Sequence, residues 1–315
     1  MHMADALISV PVASTFWAVS AGAAAYSSAA LKRRVEEEKI IPFMGVMGAL
    51  VFALQMVNFT IPATGSSGHF AGGFLLALLL GSEASFLIMS SVLLVQALFF
   101  ADGGLLALGC NIFNIGFIPA FIVYPLFKKF TEKNMFFIWL GAFVSLLAGA
   151  AMVSIQTALS GISELPFSKM FFLMMGIHVL IGIVEGLITV GSFKFISSYS
   201  LADTKYTPVP KPYIGIAGIS LIIAGIVSLF ASENPDGLEW SVFRILGNES
   251  EPHSATSKLH DMALSLQSKI SILPDYNFSG QETALGTSVS GIVGVMITIF
   301  VAATIGYIVS KVSKN

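Results

Sequence analysis

Nine apolar stretches dominate this chain, at about 8–31, 41–58, 70–81, 84–100, 105–127, 135–157, 169–193, 213–231 and 287–310. A bilayer core takes roughly 20 apolar residues per helical crossing. Inside it every backbone polar group must be bonded within the protein. Charged residues make up only 11% of the chain, against about 25% in soluble domains. The expected fold is therefore an all-α integral membrane protein. The third stretch is short and glycine-rich (Ala71-Gly72-Gly73) and reads as a partial or tilted helix.

Basic residues set the orientation, because cytoplasmic loops carry an excess of lysine and arginine. With the N-terminus outside, the inner loops hold Lys32, Arg33, Arg34, Lys39, Lys128, Lys129, Lys133, Lys194, Lys205, Lys211, Lys311 and Lys314. The outer loops hold only Lys169, Arg244, Lys258 and Lys269. The predicted protein sits in the cell membrane, N-terminus outside and C-terminus cytoplasmic. No basic patch outside short loops points to nucleic acid.

Two boundaries divide the chain. Residues 194–212 are polar and carry Pro208, Pro210 and Pro212, which reads as a stiff cytoplasmic linker. Residues 232–286 are polar and read as a large outer loop, only partly ordered. The expected organisation is a seven-helix body, 1–193, and a two-helix appendage, 213–315. The first apolar stretch carries Ala21, Ala25 and Ala29 at four-residue spacing, flanked by Ala18 and Gly22. Small faces let helices approach closely in lipid. Internal packing is the simpler reading, and a docking face for a partner membrane protein the functional one.

The chain starts Met1-His2, with no basic region and apolar run before it to form a cleavable signal. A free amine beside a histidine is a chelator. The Met1 amine and His2 amide nitrogen close a five-membered ring on a metal, and the His2 amide and Nδ1 a six-membered one. Such a planar nitrogen set favours Ni(II) or Cu(II). His69, in the Gly/Ser-rich outer connection Asn58–Gly73, lies on the same side and offers a fourth nitrogen. Asp102, in the next outer connection, can hydrogen-bond a ligand imidazole and fix its tautomer. Asp5 can do the same, but capping of the first helix is its simpler role. Asn111 and Asn114 should face protein rather than lipid.

His178 and Glu185 share a face of the seventh stretch. They read either as a metal or proton path or as a polar contact between helices. His253 and His260 read as solvated, and Cys110 as an inert core residue. There is no phosphate-binding loop with Lys-Ser/Thr, no His-Glu-x-x-His and no Gly-x-Ser-x-Gly.

Several runs carry a family resemblance: Met1-His2, Gln55-Met-Val-Asn-Phe, Gly65-Ser-Ser-Gly-His69, Gln96 to Asn114 with its Ala-Asp-Gly-Gly-Leu-Leu-Ala-Leu-Gly core, and Gly182 to Thr189. Together these resemble the substrate-binding membrane component of nickel/cobalt energy-coupling-factor (ECF) transporters, the NikM/CbiM type. The part with Pro235-Asp-Gly-Leu-Glu-Trp240 is similar to the NikN/CbiN-like accessory part fused in some members. The resemblance implies that Met1, His2 and His69 hold Ni(II) or Co(II) as transported substrate in a square plane. It also implies a separate transmembrane coupling (T) subunit and cytoplasmic ATPase subunits, which accords with the missing phosphate loop. The alternatives are a stand-alone ion-coupled divalent metal permease using His178 and Glu185, and a membrane enzyme with a buried metal site. The last finds no catalytic pair and ligand cluster at one depth.

Overall fold

The computed structural model describes residues 2–38, 40–200, 211–247, 257–278 and 283–312; the side chains of 32–38, 199–200, 211–212, 310 and 312 are outside that description. A 3-10 turn, Asp5–Leu7, precedes α1 (Val10–Glu38) and α2 (Ile41–Gln55). A two-stranded antiparallel hairpin follows, β1 (Phe59–Ile61) and β2 (Ser66–Gly68), with Phe59 opposite Gly68. Then come α3 (Gly73–Leu80), α4 (Ser82–Phe99), α5 (Leu108–Thr131), α6 (Met135–Ser160), α7 (Phe167–Ser200), α8 (Lys211–Gly225), α9 (Gly237–Leu246), α10 (Lys258–Ile270) and α11 (Ala284–Val312). Each of the nine expected stretches coincides with one of these helices. By length and composition, α4 to α8 and α11 supply six helices able to cross a membrane, with 3-10 residues Val227–Phe230 extending α8. The middle of α5, Ile112–Val123, is π-helical around Pro119, where the missing N–H loosens the helical ladder.

The third stretch is a composite. Its helix, α3, has 8 residues, about 12 Å at 1.5 Å each. The four non-helical residues before it, 69–72, add at most about 13 Å. The chain runs through 69–72 and α3 and then into α4, whose 18 residues rise about 27 Å. Gly81, at φ 82°, makes the turn. Irregular backbone at membrane depth is tolerated only inside protein, and Phe70 and Ala71 are buried. Its polar groups are met by side chains: Glu185 accepts from the Ala71 and Gly72 amides (2.8 and 3.1 Å), and Gln55 donates to the Ala71 carbonyl (2.9 Å).

The C-terminal helices pack into the body. At Gly45 of α2, a side chain would meet the Ile299 carbonyl at 3.0 Å, so α11 lies close against α2, as small residues allow between membrane helices. Three expectations are corrected here. Ala21, Ala25 and Ala29 are exposed, so the small-residue face of α1 is not internal packing. The outer segment 232–286 is not merely a polar loop, since α9 and α10 form within it; residues 248–256 and 279–282 lie outside the described residues. Both helices begin with capping boxes, at Asp236/Glu239 and Ser257/His260. His260, read as solvated, is buried and donates from Nε2 to the Ile8 carbonyl (2.9 Å). His253 and most of the proline linker, 201–210, lie outside the described residues.

Candidate metal centre

The N-terminal strand is threaded into the bundle. Met3 is fully buried, and Asn111 grips its backbone twice, accepting from its N–H (2.8 Å) and donating to its carbonyl (3.2 Å). The Gly104 amide also donates to that carbonyl (2.9 Å). Asn114 pairs reciprocally with Gln156, at 2.7 and 3.0 Å. Both asparagines thus face protein. Asp5 does not cap α1. Its buried Oδ1 accepts from the Ala107 amide (2.9 Å), tying the strand to the loop after α4. Burial pushes its carboxyl above the usual carboxylate range, against the lowering effect of the amides of 105–107.

This threading brings His2 to His69, which follows β2. The two rings are stacked, within 3° of parallel with centroids 5.3 Å apart. His2 Nδ1 donates to Asp102 Oδ1 (3.0 Å), whose Oδ2 accepts from the Tyr276 hydroxyl (2.5 Å). Burial alone would raise the Asp102 carboxyl; the contacts with His2 and Tyr276 outweigh it and hold the carboxylate below its usual range. Burial and Asp102 push the Tyr276 phenol well up, so it remains a donor. His2 Nε2 is buried and has no hydrogen-bond partner among the described residues.

His69 is fixed from the other side. Its Nδ1 is 3.3 Å from the Phe70 carbonyl, and its Nε2 lies 3.8 Å from Asp236 Oδ2. Burial, with His2 nearby, pushes its pKa down to about 3, so the ring is neutral and able to ligate. Asp236 starts α9 and reaches the site because its segment is bonded to the hairpin. The Ser67 amide and hydroxyl donate to the Pro235 and Asn234 carbonyls (2.8 and 2.7 Å), and Trp240 Nε1 to the Thr64 carbonyl (2.9 Å).

Met1 lies outside the described residues. Among the described residues no three His, Cys, Asp or Glu side chains form a metal-holding group. His178 and Glu185 serve other bonds: His178 Nδ1 donates to the Met174 carbonyl (2.8 Å), and both oxygens of Glu185 hold the 71–72 amides. Sequence alone does not single out Gln55, Gln156, Asp236 and Tyr276 as site residues. The glutamines are detectable as amides inside apolar helices, Asp236 stands only within the Pro235–Trp240 run, and Tyr276 lies in a polar segment where nothing marks it.

A polytopic bundle holding two facing imidazoles at one mouth, each beside a carboxylate, is the architecture of a membrane carrier for a transition metal. The chain belongs to the CbiM family, described as the cobalt uptake substrate-specific transmembrane region, which matches residues 2–201. A PDGLE domain matches residues 210–311. It is 31% identical over 311 residues to the putative fused nickel transport protein NikMN of Archaeoglobus fulgidus, covering 95% of this chain and 96% of that one. It is 29% identical to the probable fused nickel transport protein LarMN of Lactiplantibacillus plantarum (94% and 95% covered), and 28% to the cobalt transport protein CbiM of Sorangium cellulosum (62% and 91%). A crystal structure of a transition metal transporter superposes with a TM-score of 0.55 at 27% identity, covering 63% of this chain and 93% of that one.

Proposed function

We propose that this protein captures Ni(II) or Co(II) at the outer face of the cell membrane and hands it to an ATP-driven ECF importer. The ligands are the Met1 amine, the His2 amide and imidazole, and His69. The observation that carries the reading is the facing pair His2 and His69. Residues 1–193 form the metal-binding part, and 213–315 the accessory part, joined by a cytoplasmic linker. The N-terminus lies outside and the C-terminus in the cytoplasm. The exposed face of Ala21, Ala25 and Ala29 docks the T subunit, and separate subunits hydrolyse ATP.

The six-membered chelate needs His2 Nδ1, which Asp102 holds in the structure. Loading the metal therefore turns the imidazole and shifts its proton from Nδ1 to Nε2, so that Nδ1 is given to the ion and the Nε2–H group donates to Asp102. That state gives a partner to Nε2, which lacks one here among the described residues, and follows the general pattern of carboxylates behind ligating histidines. A planar nitrogen site suits Ni(II).

Uptake of radiolabelled nickel tests the transport reading. Cells making this protein alone should not accumulate the ion, and cells also making the T and ATPase subunits should. ATP-independent accumulation by this chain alone would establish the stand-alone permease instead.

A further inference from the structure

The fused C-terminal part brings a carboxylate to the metal site itself. Asp236 Oδ2 is 3.8 Å from His69 Nε2, while its other oxygen caps α9, accepting from the amides of Leu238 and Glu239 at 2.8 and 3.0 Å. The carboxylate is thus held in orientation. Its backbone is held too, by the bonds of Asn234 and Pro235 to Ser67 and of Trp240 to Thr64. Gly237 seals the contact: a side chain there would come within 2.7 Å of His178 Cε1 and 2.9 Å of Ile181 Cδ1. Asp236 and His69 therefore move as one rigid piece, although they belong to the two parts of the chain.

We propose that Asp236 supplies the counter-charge for the metal ion at His69, so that the accessory part takes part in cargo binding directly. This rests on His2 and His69 being ligands. A divalent ion bound by one deprotonated amide and three neutral nitrogens keeps a net positive charge. In a buried, water-poor site such a charge is costly unless paired. Asp102 is already engaged by His2 and Tyr276. Asp236 approaches from the opposite element, beside the other imidazole. At 3.8 Å from Nε2 it acts through space, as a positioning and charge-balancing residue.

The fold permits a clean test, because Asn and Ser cap helices about as well as Asp. Asp236→Asn and Asp236→Ser keep the α9 cap and remove the charge. Nickel affinity of the purified full chain is measured by calorimetric titration against a competing chelator, with thermal unfolding of the metal-free protein alongside. Both variants should unfold at the wild-type temperature and bind nickel about 10- to 100-fold more weakly. Asp236→Glu, a poorer cap that keeps the charge, should recover part of that loss. Wild-type affinity in Asp236→Asn, with binding abolished in His69→Ala, overturns the proposal and leaves the metal site standing. Wild-type affinity in His69→Ala overturns both.

Discussion

The imidazoles of His2 and His69 are stacked face to face, 3° from parallel, at a centroid separation of 5.3 Å. Each is held by separate machinery, His2 by Asp102 and His69 by the segment behind it. If one ion is shared between them, neither imidazole can bind it alone. His2→Ala and His69→Ala should each abolish stoichiometric nickel binding in calorimetric titration. A one-to-one isotherm of wild-type affinity from either variant would show that the rings meet for structural reasons.

An extra residue before Met1 discriminates more finely. The Met3 backbone is clamped by Asn111 and Gly104, so His2 stays in place when the chain is extended. The amine, however, leaves the five-membered ring proposed for it with the His2 amide. A single added glycine should leave the unfolding temperature unchanged and eliminate nickel binding. Retained affinity would remove the terminal amine from the ligand set.

The fold was legible because the bilayer demands long apolar helices, and Ser82–Phe99, Leu108–Thr131, Met135–Ser160, Phe167–Ser198, Tyr213–Phe230 and Ala284–Val309 carry that signal in composition alone. Of the candidate site, His2 and His69 announce themselves through ligand chemistry and Asp102 through its loop, and the structure brings the three together. His260 misled because a histidine in a polar segment looks solvated; it is buried by a tertiary contact with Ile8 that no local pattern encodes. From sequence, Glu185 reads either as an ion path or as a polar contact between helices; in the structure it binds the backbone of a non-helical segment.

Glu185→Gln tests that assignment. Glutamine retains one acceptor oxygen and presents an NH2 group to the other amide, leaving a buried donor unpaired at a cost of about 1–3 kcal/mol. Metal-free protein should unfold several degrees lower, at roughly 2–4 °C per kcal/mol, and nickel affinity should fall because His69 immediately precedes the released segment. A variant that binds nickel normally but cannot transport it would return Glu185 to an ion path.

Acid should weaken the metal-free protein through His69. Its pKa falls from 6.5 to about 3 in the fold, so between those values the unfolded chain binds a proton that the native state does not. Stability then rises with pH across that window and is lost as pH falls from 6.5 toward 3. Unfolding temperatures measured at several pH values should show this slope, and His69→Asn should flatten it. An equal slope in the variant would place the acid sensitivity in other groups.

The exposed alanines of α1 separate capture from delivery. Ala21, Ala25 and Ala29 make no part of the buried core, and their spacing permits close approach of a partner helix in lipid. A bulky side chain at the middle position should therefore block docking without touching the metal site. Ala25→Trp is expected to bind nickel as the wild type does and to unfold at the same temperature. Uptake in cells containing the T and ATPase subunits should drop about tenfold or more, equivalent to at least ~1.4 kcal/mol of lost docking free energy. Co-purification of the T subunit should fall in parallel. Undiminished uptake by Ala25→Trp would move the partner interface to another face of the bundle.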